Sequence, residues 1–178
     1  MAGLTDEQAR SPSLLPGWSI GHVLTHLARN ADSVVRRLEA ARQGRLVDQY
    51  PGGAKGREGE IELGAGRSAG ELVEDVRHSA ALADAVVTAY PGDAWDRPTL
   101  HVSGREEPAS AVVFARWREV EVHHVDLGLG YGPKDWPAEL VGHWLPSTLG
   151  GLAGRADAHE LWAWLMGRAP APELGPWA

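Results

Sequence analysis

Apolar residues recur at helical spacing along three long stretches of the chain, and turn residues separate them. From Ile20 to about Arg42, Leu24, Leu27, Ala31, Val34 and Leu38 form one stripe. The turn at Leu14 to Gly17 precedes it, Ser19 is an N-cap candidate, and Gly44 is a plausible stop. Ser68 and Glu71 make a capping box for a second helix, through Tyr90 to the Pro91-Gly92 stop, with a stripe of Leu72, Val76, Leu82 and Val86. His78 falls on its solvated face. The third stretch, Pro108 to Leu127, has no internal Gly or Pro. As a strand its alternation slips at His123-His124, and it is too long for an ordinary strand. A helix with Val113, Trp117, Val120, His124 and Leu127 on one stripe fits better, and the stripe makes His124 a packing residue.

The rest of the chain is shorter-ranged. Arg45 to Gly66 is Gly-rich and mixed in charge, and is expected to be a long connection, functional or mobile, in the manner of a lid. Thr99 to Val102 suits a short strand or hairpin. Pro137 starts a further helix, broken by Pro146 and by Gly150-Gly151. Asp157-Ala-His-Glu160 caps a short apolar segment, Leu161 to Met166, closed by Gly167 and followed by Arg168 and an extended tail from Ala169 to Ala178. The architecture that results is mainly all-α: a bundle of four principal helices over residues 1–150, then a short C-terminal helix and tail over 151–178.

Composition narrows the chemistry. A chain of 178 residues with a net charge of −7 argues against nucleic acid or an anionic membrane as partner. Its apolar runs fall short of membrane-spanning length and its first residues do not read as a signal peptide, so a cytoplasmic protein is expected. There is no cysteine, which excludes disulfides and thiolate metal sites, whereas eight histidines are a generous supply of ligands. Any metal must be held by imidazole and carboxylate.

One stretch supplies both. Glu119 and His123 stand four apart, one turn up the same helical face. His22 and His26 are four apart on the first long helix, which can face Glu119 and His123 across a bundle. His26, beside Val23, Leu24 and Leu27, is favoured over His22 near the helix start. Two imidazoles and one carboxylate make three ligands, fewer than a closed structural site needs, and imply an open position for water or substrate. The bland alternative is an i,i+4 ion pair beside a half-buried histidine.

The segments Leu14 to Asp32, Gly64 to Arg67 and Arg118 to Leu127, with Tyr131 and Asp135-Trp-Pro137, resemble the mycothiol-dependent maleylpyruvate isomerase family. The resemblance implies a DinB-like four-helix bundle with a reduced C-terminal helical appendage. His26-Leu27 matches the family's His-Leu motif, and Glu119, His123, Asp126 and Leu127 match its Glu-x-x-x-His-x-x-Asp-Leu motif. It therefore implies His26, Glu119 and His123 as ligands of a divalent metal, with zinc favoured by the donor set. Relatives usually carry a small α/β domain before a terminal Trp-Leu-x-Gly-Arg segment. Here Trp164 to Arg168 follows the bundle almost directly, and Arg168 matches the arginine thought to hold a substrate carboxylate.

The implied cofactor is mycothiol or a similar low-molecular-weight thiol, and the implied substrate a small dicarboxylate or other electrophile. Thiolate would add to the cis double bond of maleylpyruvate, rotation would follow, and expulsion of the thiolate would give fumarylpyruvate. Arg67 is a second candidate for the carboxylate, and Arg29 and Asn30 are candidates for the cofactor. Two other readings stay open: a thiol S-transferase on the same fold, which consumes thiol stoichiometrically, and a non-catalytic metal-binding regulatory bundle.

Overall fold

The structure, a computed structural model, describes residues 3–175. Two compact units divide between Asp135 and Trp136. The first holds α1 (Asp6–Arg10), α2 (Ile20–Arg42), α3 (Gly53–Ala65), α4 (Ala69–Thr88), a hairpin of β1 (Pro98–Leu100) and β2 (Glu106–Pro108), and α5 (Ala109–Asp126). The second holds α6 (Ala138–Gly150) and α7 (Ala158–Leu165). The boundary expected at residue 150 thus falls earlier, and α6 groups with α7.

Helix α2 is the axis of the first unit, with α3, α4 and α5 all packed on it. The stripe read from the sequence is its core face: Leu24, Leu27, Ala31, Val34 and Leu38 are all buried. Ser19 caps it, accepting from the His22 amide, while His22 Nδ1 accepts from the Ser19 amide. Helix α4 opens with the matching box at Ser68 and Glu71. Its buried face is Leu72, Val76, Ser79 and Ala83, and Leu82, one position off that face, is 46% exposed. Ser79 and Ala83 thus take the place of larger residues on the buried face, and the Ser79 hydroxyl is satisfied within the helix by donating to the Val76 carbonyl. His78 is exposed. Burying one leucine such as Leu24 or Leu72 is worth about 1.5–3 kcal/mol, so these faces outweigh local propensity.

The remaining long helix of this unit is α3, in the segment expected to be a loop. Its glycines read as breakers, but Gly64 lies where a side chain would meet Thr25 of α2, and one at Gly21 would overlap the Ala65 carbonyl. They permit close helix approach. The hairpin forms as expected, Thr99 opposite Glu107. Arg37 of α2 pins it, donating to Thr99 Oγ1 at 3.0 Å and Glu107 Oε1 at 2.5 Å in a buried cluster.

Helix α5 spans the predicted stretch; its buried residues are Ala109, Val112 and His123. Of the expected stripe, Leu127 is buried and Val113 and Val120 pack partly buried against the core, whereas His124 does not. His124 is exposed and stacks on Tyr131 with centroids 3.9 Å apart. Glu119 and His123 are therefore on the inward face.

In the second unit, α6 continues through Pro146 to Gly150 instead of breaking there. Asp157 caps α7 by accepting from the His159 and Glu160 amides, and Leu161 is buried. Trp162 is 64% exposed, and Arg168 lies exposed just beyond the helix. Residues 170–175 have no regular structure; the end of the expected extended tail, 176–178, lies outside the described residues.

Candidate metal centre

His26 from α2 and Glu119 and His123 from α5 converge in the first unit. Their nearest donor atoms all lie within 4.8 Å of one another. His26, 1% exposed, directs Nε2 at Glu119 Oε2, 2.9 Å away, and His123 Nε2 lies 3.5 Å from the same oxygen. The two rings are nearly perpendicular, with centroids 4.6 Å apart. One turn of helix brings Glu119 and His123 together, and the packing of α2 on α5 supplies the third donor.

The surroundings tune these groups. Burial, helped by the charges of His123 and Arg57, lowers the pKa of His26 to about 4, so its imidazole is neutral near pH 7. Burial alone would raise the Glu119 carboxyl, but hydrogen bonds from His123 and His26 outweigh it and hold the group well below the usual carboxylate range. Burial would likewise depress His123; its bonds to Glu119 and Asp126 prevail, and its pKa is raised. His123 donates from Nδ1 to Asp126 Oδ2 at 2.8 Å. That is the carboxylate–histidine arrangement that orients a ligating ring and makes it more basic.

A divalent cation fits this donor set. Two imidazoles and an anionic carboxylate meet in a largely buried cluster of borderline donors, with Nε2 of each ring toward the common carboxylate and a carboxylate behind one ring. Three protein donors leave room for an exogenous one. His22 is not among them: Ser19 occupies its Nδ1, and its Nε2 faces Glu62 at 3.4 Å.

The other sequence candidates are placed differently. Arg29 and Arg67 both grip Asp75 of α4, at 2.6 Å and 2.7 Å, and Arg29 also pairs with Asp32. Asn30 is buried and accepts from Arg116 Nη1 at 3.0 Å. These contacts tie α2 to α4 and α5. Arg168 belongs to the second unit. The sequence reading missed Arg57 of α3, whose Nη2 lies 3.1 Å from His26 Nδ1, and Trp18, whose ring meets His26 edge-on at 5.7 Å. Arg57 was hidden because its segment read as a loop; Trp18, next to the Ser19 cap, was within reach of the sequence.

An inward His, Glu, His set on a helical bundle of this topology defines the class: a DinB-like bundle with a potential metal centre between its helices. The chain belongs to the family described as the mycothiol maleylpyruvate isomerase N-terminal domain, whose profile matches residues 1–128. It is similar to the crystal structure of the mycothiol-dependent maleylpyruvate isomerase, with 30% identity and a TM-score of 0.74 over 78% of this chain. A histidine-to-alanine mutant of that enzyme matches at 29% identity with the same TM-score and coverage. The chain spans 57% of the length of those proteins. No curated protein sequence matches it significantly.

Proposed function

We propose that the chain is a metal- and thiol-dependent isomerase that converts maleylpyruvate to fumarylpyruvate by reversible addition of mycothiol or a similar thiol. The convergence of His26, Glu119 and His123 in a member of this family is the observation that carries the reading. In it, those three residues hold a divalent ion, zinc by preference. When bound, that ion would lower the pKa of a thiol at the open position, so that thiolate is available at neutral pH.

The chain's own residues do the rest. Glu119 stays anionic and offsets the cation's charge. Asp126 keeps the His123 proton on Nδ1 and leaves Nε2 free to ligate. Trp18 covers one edge of His26 and limits water there. Arg29, Arg67 and Asn30, engaged with Asp75 and Arg116, are better suited to framing the site than to binding cofactor or substrate. A cytoplasmic setting, where small thiols are kept reduced, suits this chemistry. Among the described residues, no helix is long and apolar enough to cross a membrane.

The test is turnover of maleylpyruvate by zinc-loaded protein, with and without mycothiol, while free thiol is measured. Isomerisation with thiol conserved supports the proposal. Loss of thiol in step with product would make the chain an S-transferase. Full-rate isomerisation in thiol-free buffer would overturn the mechanism, and the absence of any thiol-dependent conversion would leave the bundle a binding module.

A further inference from the structure

The two imidazoles of the cluster meet their surroundings in opposite ways. His123 has an acceptor, Asp126, behind its Nδ1, the arrangement a ligating ring needs. His26 has a donor there instead: Arg57 Nη2, at 3.1 Å. A guanidinium carries only N–H groups, so Nδ1 of His26 must accept and the ring proton must sit on Nε2, donated to Glu119. An ion ligated through Nε2 needs that lone pair. The ring N–H would then be on Nδ1, facing Arg57 donor to donor, and the contact could not persist.

Arg57 is well placed to be displaced without being lost. It is half-buried on α3, and its guanidinium carbon lies 5.9 Å from the ring centroids of both Trp18 and Tyr50. Such ring faces hold a cation in place. Arg29, Arg67, Arg37 and Arg42 each have a carboxylate within 3 Å, whereas Arg57 makes no ion pair among the described residues. Freed from His26, it would be an unneutralised fork beside the centre.

We propose that Arg57 is the anion-holding residue of this site, engaged by His26 when the metal is absent and released to a ligand carboxylate when His26 ligates the ion. The inference rests on the reading of His26, Glu119 and His123 as a metal centre. It makes metal and anion binding cooperative, and the coupling must be reciprocal. It also gives the guanidinium two exclusive partners, so removing it should favour the metal while weakening the anion.

The experiment is a zinc titration against a chromophoric chelator, using metal-free wild type, His123→Ala, Arg57→Leu and Arg57→Gln, each with and without maleate as a cis-dicarboxylate probe. Circular dichroism of the metal-free proteins confirms the fold, and Arg57→Gln, similar in reach and helix propensity, carries the test if Arg57→Leu unfolds. Without maleate, both Arg57 variants should bind zinc about tenfold more tightly than wild type, since partners at the outer ring nitrogen shift metal affinity by factors of about 10–100. Maleate should tighten zinc binding severalfold in wild type and leave the Arg57 variants unchanged. If His123→Ala keeps wild-type affinity, the metal-centre reading falls and the inference with it. If His123→Ala loses zinc, but the Arg57 variants bind no tighter or respond to maleate as wild type does, the inference alone is overturned.

Discussion

Asp126→Ala should separate metal affinity from fold stability. Asp126 is the last residue of α5, its side chain is 15% exposed, and its Oδ2 accepts from His123 Nδ1 at 2.8 Å. Three effects follow from removing it. The charge-assisted bond itself is worth about 1.5–3 kcal/mol when dry, less here where water reaches the carboxylate. Against that, a negative charge at a helix C-terminus opposes the macrodipole, and its removal returns about 0.3–1 kcal/mol. The Leu14 amide, which donates to the Asp126 backbone carbonyl at 2.8 Å, keeps its partner. Stability of the metal-free protein should therefore change by no more than about 1–2 kcal/mol.

Metal affinity has no such offset. Without Asp126 the His123 ring is free to turn and to place its proton on Nε2, and Nε2 becomes less basic. Losses of about 10–100-fold are typical for such partners. Asp126→Asn, which keeps an acceptor but not the charge, should fall between alanine and wild type. The assay pairs a zinc competition titration with thermal unfolding of the metal-free proteins. An Asp126→Ala affinity within about twofold of wild type would refute the argument that this carboxylate prepares His123 for ligation.

Two further expectations concern packing and protons. In Gly64→Ala the new methyl would stand 2.5 Å from Thr25 Cγ2 and 3.2 Å from Arg67 Nη2; overpacking should cost about 1–3 kcal/mol and outweigh the roughly 1 kcal/mol gain in helix propensity, so urea unfolding should show a net loss. A stabilised variant would contradict the close approach of α3 to α2. The second expectation is proton release on metal binding. With a raised folded pKa, His123 stabilises the metal-free protein fully below its unfolded value of 6.5, and that contribution is lost as pH climbs through the folded value. Zinc must displace this proton, so calorimetry in buffers of differing ionisation enthalpy should find about one proton released near pH 6, and fewer above the folded pKa. His26, with its pKa lowered to about 4, should add none in that window. No release near pH 6 would exclude His123 as a ligand.

Legibility in the sequence followed the source of each element's stability. Helices α2 and α4 announce themselves with serine capping boxes and an apolar period, and α5 by its uninterrupted length, so their bounds were readable, as was the inward pairing of His26 with Glu119 and His123. The choice of His26 over His22 had a local signal too, since Ser19 three residues before His22 marks the latter for a cap. His124 was misplaced because a stripe drawn through Trp117 and Val120 is about a quarter-turn from the face α5 buries. Helix α3 had no comparable signal. It starts at a left-handed Gly52 with no side-chain cap, it contains four glycines, its only large buried residue is Ile61, and Leu63 is 87% exposed.

What makes α3 a helix is its fit to α2, and the same fit gives the site its arginine. Small residues on both sides, Gly21 and Thr25 on α2 and Gly64 and Ala65 on α3, let the backbones approach where larger side chains would hold them apart. At that spacing a side chain rising from α3 can reach across to the buried edge of His26, as Arg57 does. In the sequence these glycines resemble loop punctuation because glycine marks a turn and a close approach alike, and only the partner tells them apart. The residue with the clearest claim on an anion was therefore concealed by the feature that positions it. Arg29 and Arg67, which stood out from their motifs, instead hold the bundle together through Asp75.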